Sequence, residues 1–223
     1  MTVANALLAL PLFALTLSAE PPSDEARISP AGQRLLQLLD RADVTHHWLA
    51  GVHVDWKSGE PDGKVERHPE HATHCSAFVA SLAERLYVPL LRPPEHPDHQ
   101  LANAEFDWLL GEAGRSNGWV PVATPIEAQQ RANRGEWVLA VYRATKEGHH
   151  GHIAVVRPAE KTAAELDADG PQITQAGTHN YQSATLAKGF DQHPQAWGTV
   201  RAVRFFAHAL ALPEAATGKA AQP

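Results

Sequence analysis

The residue type with the most reactive chemistry occurs once in the chain, as Cys75. It stands in Thr73-His74-Cys75-Ser76-Ala77-Phe78-Val79, at the head of an apolar run that continues to Leu86. The run predicts a helix stopped near Pro89. A cysteine directly before such a helix meets unpaired backbone N–H groups and the positive end of the helix dipole, which favour thiolate over thiol. That placement suits a nucleophile; the other reading of a lone cysteine is a small buried hydrophobe.

A thiol nucleophile needs a base held on something rigid. His152 opens the β-type run Gly151-His152-Ile153-Ala154-Val155-Val156, with a glycine before it that permits close approach. His149 and His150 are alternatives if the strand begins earlier. The base in turn needs a partner for its second ring nitrogen, which fixes the tautomer. The next strand-like segment, Pro171 to Asn180, offers Gln175 as first candidate and Asn180 as second, although either residue type also makes turn hydrogen bonds.

A rival chemistry comes from the histidines, of which there are 14. His68, His71 and His74 cluster with Cys75, and such N and S donors suit zinc or copper in a metal-binding protein. Their spacing matches no strong ligand signature. No nucleotide, flavin or haem motif is present, so no cofactor is expected. Trp48, Trp56, Trp108, Trp119, Trp137 and Trp197 are read as core aromatics, with none assigned to binding.

The elements that must position these groups are short. Ser29-Pro30 opens an amphipathic helix running through Leu35, Leu39, Val44 and Trp48 to Gly51. After the Cys75 helix, Leu101 to Gly114 reads as a further helix, and Thr124-Pro125-Ile126-Glu127 opens another with a capping box. Four strands are expected at Trp137–Arg143, His152–Arg157, Gln172–Ala176 and Val200–Phe206. Helices first and strands second predict an α+β domain, with N-terminal helices packed on a small antiparallel sheet.

The chain has 223 residues, with 19 Lys+Arg against 25 Asp+Glu for a formal charge of −6. With no basic cluster, nucleic acid is not an expected partner. Residues 1–19 read as a signal peptide with an apolar stretch from Ala6 to Leu17, too short to span a bilayer, although no Lys or Arg precedes it. Residues 20–28 read as a linker, 29–212 as one catalytic domain and 213–223 as a disordered tail. The expectation is a secreted monomer, periplasmic or extracellular, with no membrane span in the mature chain. In such a compartment one cysteine cannot close an internal disulfide.

The order of these features, from Thr73 to Asn180, resembles the NlpC and CHAP superfamily of papain-like cell-wall cysteine peptidases and amidases. The shared features are a Cys at a helix start, a Gly-His at a strand start and a polar residue on the next strand. The chain has His74 where that superfamily commonly has Asp, and Ala77 where Gly is common. The resemblance implies a papain-like fold, with Cys75 as nucleophile, His152 as base and Gln175 nearest to the third position. It also implies hydrolysis of an amide bond in peptidoglycan. A homologue that has lost catalysis and only binds the wall is the remaining alternative.

Overall fold

The computed structural model describes residues 27–211, apart from 70, 71, 98–100 and 147. The expected signal peptide, residues 20–26 of the linker and the tail lie outside the described residues, as does His71 of the histidine cluster. What is described is a mixed helical and antiparallel β domain, as the element order predicts.

Helix α1 spans Pro30–Arg41, shorter than expected. Ser29 caps it, its hydroxyl accepting from Gly32 N, and Leu35 and Leu39 face the core. The apolar periodicity continues through Val44 and Trp48, both buried, but Asp43 turns the chain at φ 48. The backbone carbonyls of Val44, His47 and Trp48 accept from the Asn180 side-chain amide. A tertiary bond here takes the place of a further helical turn, which sequence periodicity does not reveal.

Helix α2, Cys75–Arg85, matches its expected bounds to within a residue and is buried from Cys75 to Ala83. The single helix expected from Leu101 breaks at Gly111 into α3, Leu101–Leu110, and α4, Glu112–Ser116. Helix α5, Pro125–Asn133, is capped by Thr124, with Pro at its first position.

Six strands form one sheet: β1 Val120–Val122, β2 Trp137–Tyr142, β3 His152–Val156, β4 Gln172–Gln175, β5 Tyr181–Thr185 and β6 Arg204–His208. Their order is β1-β6-β2-β3-β4-β5, and every neighbouring pair is antiparallel. Four strands were expected. The two others are the edge strands: β1 has three residues including Pro121, and β5 is polar and only partly buried. Neither carries an apolar alternation strong enough to read. Two short helices, α6 at Ala163–Asp169 and α7 at Leu186–Gly189, also went unread, although Thr162 and Glu165 form a complete capping box.

The sheet is central and does not lie under one layer of helices. Every residue of β2 and β3 is buried, and alternate residues supply two cores. Trp137, Leu139, Val141, Ile153 and Val155 join Leu35, Leu39, Phe78 and Leu82 on one face. Val138, Ala140, Ala154 and Val156 join Ala128, Ala132, Leu186 and Phe190 on the other. Helices therefore cover both faces, and the middle strands read as near-continuous apolar runs for that reason. No helix among the described residues is long and apolar enough to cross a membrane.

Candidate active site

Cys75 is the first residue of α2, and its predecessor His74, at φ −123 and ψ 29, gives the helix no side-chain cap. Helices α1, α5, α6 and α7, by contrast, each spend a Ser or Thr hydroxyl on a first-turn N–H. The backbone amides of Cys75 and Ser76 at the uncapped end, and that of Ile153 in β3, each act on the sulfur to favour its charged form. Ser76 Oγ lies 3.9 Å from Cys75 Sγ.

Burial opposes these donors and wins. Cys75 is 7% exposed, and desolvation pushes its thiol above the ordinary value of 9.0. The expectation that the helix start holds a thiolate is therefore corrected: in the resting site the proton stays on sulfur. The helix terminus lowers the cost of removing that proton without removing it in advance.

His152 begins β3, opposite Tyr142 of β2, and is 6% exposed. Gly151 precedes it because a Cβ there would strike the Tyr142 carbonyl and Asn103 Oδ1. Asn103, on α3, ties down the loop that delivers the histidine: its Oδ1 accepts from Ala144 N at 3.0 Å and its Nδ2 donates to His149 O at 3.1 Å.

The tautomer of His152 follows from its partner. Gln175 Nε2 donates to His179 O at 3.2 Å, which orients the amide so that Oε1 lies 2.9 Å from His152 Nε2. A carbonyl oxygen can only accept, so Nε2 carries the hydrogen and Nδ1 keeps the lone pair of a base. Gln175 is 2% exposed and packs against the end of α7, where a Cβ on Gly189 would collide with its Oε1.

Asn180, the second candidate for this orienting role, is engaged elsewhere. Its Oδ1 accepts from Gly177 N at 3.0 Å, and its Nδ2 binds the 44–48 carbonyls. It shapes the β4–β5 turn and anchors the segment after α1. His150, an alternative base, is exposed and lines the cleft of Cys75.

Cys75 and His152 open onto adjoining clefts. Cys75 lines one of about 420 Å³, with His53, Trp56, Glu66, His68 and His74 among its walls. His152 and Gln175 line a smaller one of about 180 Å³, with His179, Asp191 and His193. Thr73, His150 and Gly151 border both. No hydrogen bond links Cys75 Sγ to the His152 ring; the sulfur instead reaches the amide of Ile153, one residue along the same strand. Catalytic hydrogen bonds often close only when substrate is bound. Trp56, read from sequence as core, packs against the core and is also a wall of the Cys75 cleft.

Sequence reasoning also missed the aromatic box around His152. Phe190 meets the His152 ring edge-on at 4.6 Å, and His193 stacks on it at 5.5 Å between centroids, with Tyr142 5.2 Å from His193. Burial lowers the pKa of His152, and burial reinforced by the neighbouring imidazole lowers that of His193 to about 4. Both rings are neutral at pH 7, as a general base must be.

This arrangement carries a stability cost in acid. The unfolded chain takes up protons on these histidines below about pH 6.5, whereas the folded chain refuses them until about pH 4 at His193. Stability therefore falls as pH drops through that window. The His193 share is about 2 kcal/mol after allowance for its partial exposure. Urea midpoints measured from pH 7 to pH 4 should fall less steeply in His193→Asn than in wild type.

The histidine cluster does not assemble a metal centre among the described residues, where no three His, Cys, Asp or Glu side chains come together as ligands. His74 Nε2 instead binds the Val52 carbonyl at 2.8 Å. No family model matches the chain, and no curated protein matches it.

Proposed function

We propose that this chain is a cysteine hydrolase of amide bonds, with Cys75 as nucleophile, His152 as general base and Gln175 orienting the base. The observation that carries the proposal is the Gln175–His152 bond, which leaves Nδ1 unprotonated on the strand whose next amide meets the Cys75 thiol. In this mechanism His152 takes the thiol proton as sulfur attacks the amide carbonyl. The carbon–sulfur bond forms, and the oxyanion collects at the uncapped start of α2. The imidazolium then returns the proton to the departing amine, and water activated by His152 hydrolyses the thioester.

The apolar leader-like segment and the resemblance to papain-like cell-wall enzymes favour peptidoglycan as the source of the amide, either within a stem peptide or between sugar and peptide. Incubation of purified peptidoglycan with the protein tests the bond class. Amide cleavage frees one amino group per event, detectable by dinitrophenylation, and no reducing sugar ends. Reducing ends without new amines would overturn the proposal.

The pH profile follows from the same site. The base is competent where His152 is neutral, and its pKa lies below the ordinary 6.5. The acid limb of kcat/KM is therefore expected below pH 6.5, with activity rising as pH increases through it. An acid limb centred above pH 7 would contradict this assignment.

A further inference from the structure

Helix α3 carries a group that the mechanism above does not use. Glu105 is fully buried, and neither of its carboxylate oxygens has a hydrogen-bond partner. It lies on the stripe of Leu101 and Leu109, which belong to the core. Burial disfavours an unpartnered carboxylate in such a place, so the group carries its proton instead. The two polar neighbours that act on it are Cys75, whose negative charge would oppose a second one, and the Ser76 hydroxyl.

The other titratable groups on the elements around α3 are engaged elsewhere or have no hold on Glu105. On α2, Glu84 pairs with Lys57 at 2.8 Å and Arg85 donates to Lys57 O at 2.6 Å. On α4, Arg115 donates to Leu110 O at 2.6 Å, and Glu112 is likewise no partner of Glu105. On α3 itself, Asp107 pairs with Arg143 at 2.8 Å. Tyr142 of β2 lies beside His193, and His152 of β3 bonds Gln175. Among the described residues no cation reaches the carboxyl, so nothing offsets its burial except the proton.

We propose that Glu105 is a positioning residue for the nucleophile: a neutral carboxylic acid, unpartnered at rest, that closes a hydrogen bond onto Ser76 Oγ as the Ser76 hydroxyl turns to donate to the Cys75 sulfur losing its proton. The proposal rests on the reading of Cys75 as a nucleophile. Its geometry is the sequence Glu105, Ser76 and Cys75, with 3.9 Å between Ser76 Oγ and the sulfur at rest. Each acid keeps its own hydrogen along the relay, and only the thiol proton moves, to His152. A hydroxyl already polarised by a neighbouring donor is a better donor to an anion than an isolated one. A carboxylate in this position would instead repel the thiolate.

The test follows the pH dependence of Cys75 alkylation by iodoacetamide, read from intact mass, in wild type and in Glu105→Gln, Glu105→Leu and Ser76→Ala. Loss of a hydrogen bond to a charged sulfur should raise the alkylation midpoint of Glu105→Leu and Ser76→Ala by about one pH unit, an approximately tenfold loss of labelling below it. Glu105→Gln keeps an N–H donor and is expected to label close to wild type. The Glu105→Leu/Ser76→Ala double variant should shift no further than either single variant, because both break the same relay.

A wild-type midpoint in a natively melting Glu105→Leu overturns the relay, as does Glu105→Gln shifted as far as Glu105→Leu. If Glu105→Leu does not fold, the closer-shaped Glu105→Met takes its place: a midpoint raised by about one unit supports the relay, and an unmoved one overturns it. The readout is independent of hydrolysis. Shifted midpoints in a protein that frees no amines from peptidoglycan would leave the relay standing and remove the substrate. A wild-type Cys75 that never labels would overturn both.

Discussion

Turnover of an amide substrate by Cys75→Ala is expected to fall by at least about 10⁴-fold, to the level left by binding and oxyanion contacts alone. The chain has a single cysteine, so no other thiol can take over the attack. The fold should tolerate the change. Cys75 sits in the core face of α2 beside Ala77, Phe78 and Val79, and alanine removes one buried sulfur at a cost of about 1 kcal/mol. A variant with a near-native melting temperature and no amine release would separate chemistry from folding. Substantial activity would remove Cys75 from the mechanism.

His152→Ala is expected to cost nearly as much, because a buried thiol held above its ordinary pKa cannot attack until something takes its proton. The two losses should not add. The Cys75→Ala/His152→Ala double variant should be no slower than the worse single variant within a few-fold, since either substitution disables the same step. Here the structural cost is larger: Gln175 Oε1 loses its donor, and a hole opens against Phe190 and His193. Leaving that buried carbonyl without a partner costs about 1–3 kcal/mol, so the assay belongs well below the lowered melting temperature. Fully additive losses would mean that the two residues do not act as a unit.

The parts of this site legible in the sequence are those set by local rules. Cys75 announces itself by standing where an apolar run begins, and α2 forms there nearly to the residue. His152 and Gln175 sit where β-rich runs begin and end, and β3 and β4 bear that out. The bond between them is a tertiary fact. Sequence ranks Gln175 above Asn180, and what engages Asn180 elsewhere is invisible to it: the Asn180 amide goes to carbonyls more than 130 residues away. The ionisation of Cys75 was misread for a related reason, since a helix terminus is visible in sequence and burial is not.

Other residues hid for want of any periodic signal. His193 and Phe190 follow the four-residue helix α7, in a stretch of loops that no apolar pattern marks. Glu105 did leave a trace. Leu101, Glu105 and Leu109 recur every four residues, so the acid occupies the apolar stripe of its own helix, where a charged residue calls for an explanation. The two-sided burial of the sheet was also written in β2 and β3, whose uninterrupted apolar runs are those of strands covered on both faces.

The most direct test of the central claim is stoichiometric. Wild-type protein is treated with iodoacetamide at a pH of about 9, where a buried thiol begins to ionise, and the fraction alkylated is read by intact mass against the remaining rate of amine release. One adduct per chain, placed on the Cys75 peptide and removing activity in strict proportion, is the predicted result. Fully alkylated protein that still hydrolyses its amide at the native rate would contradict the account.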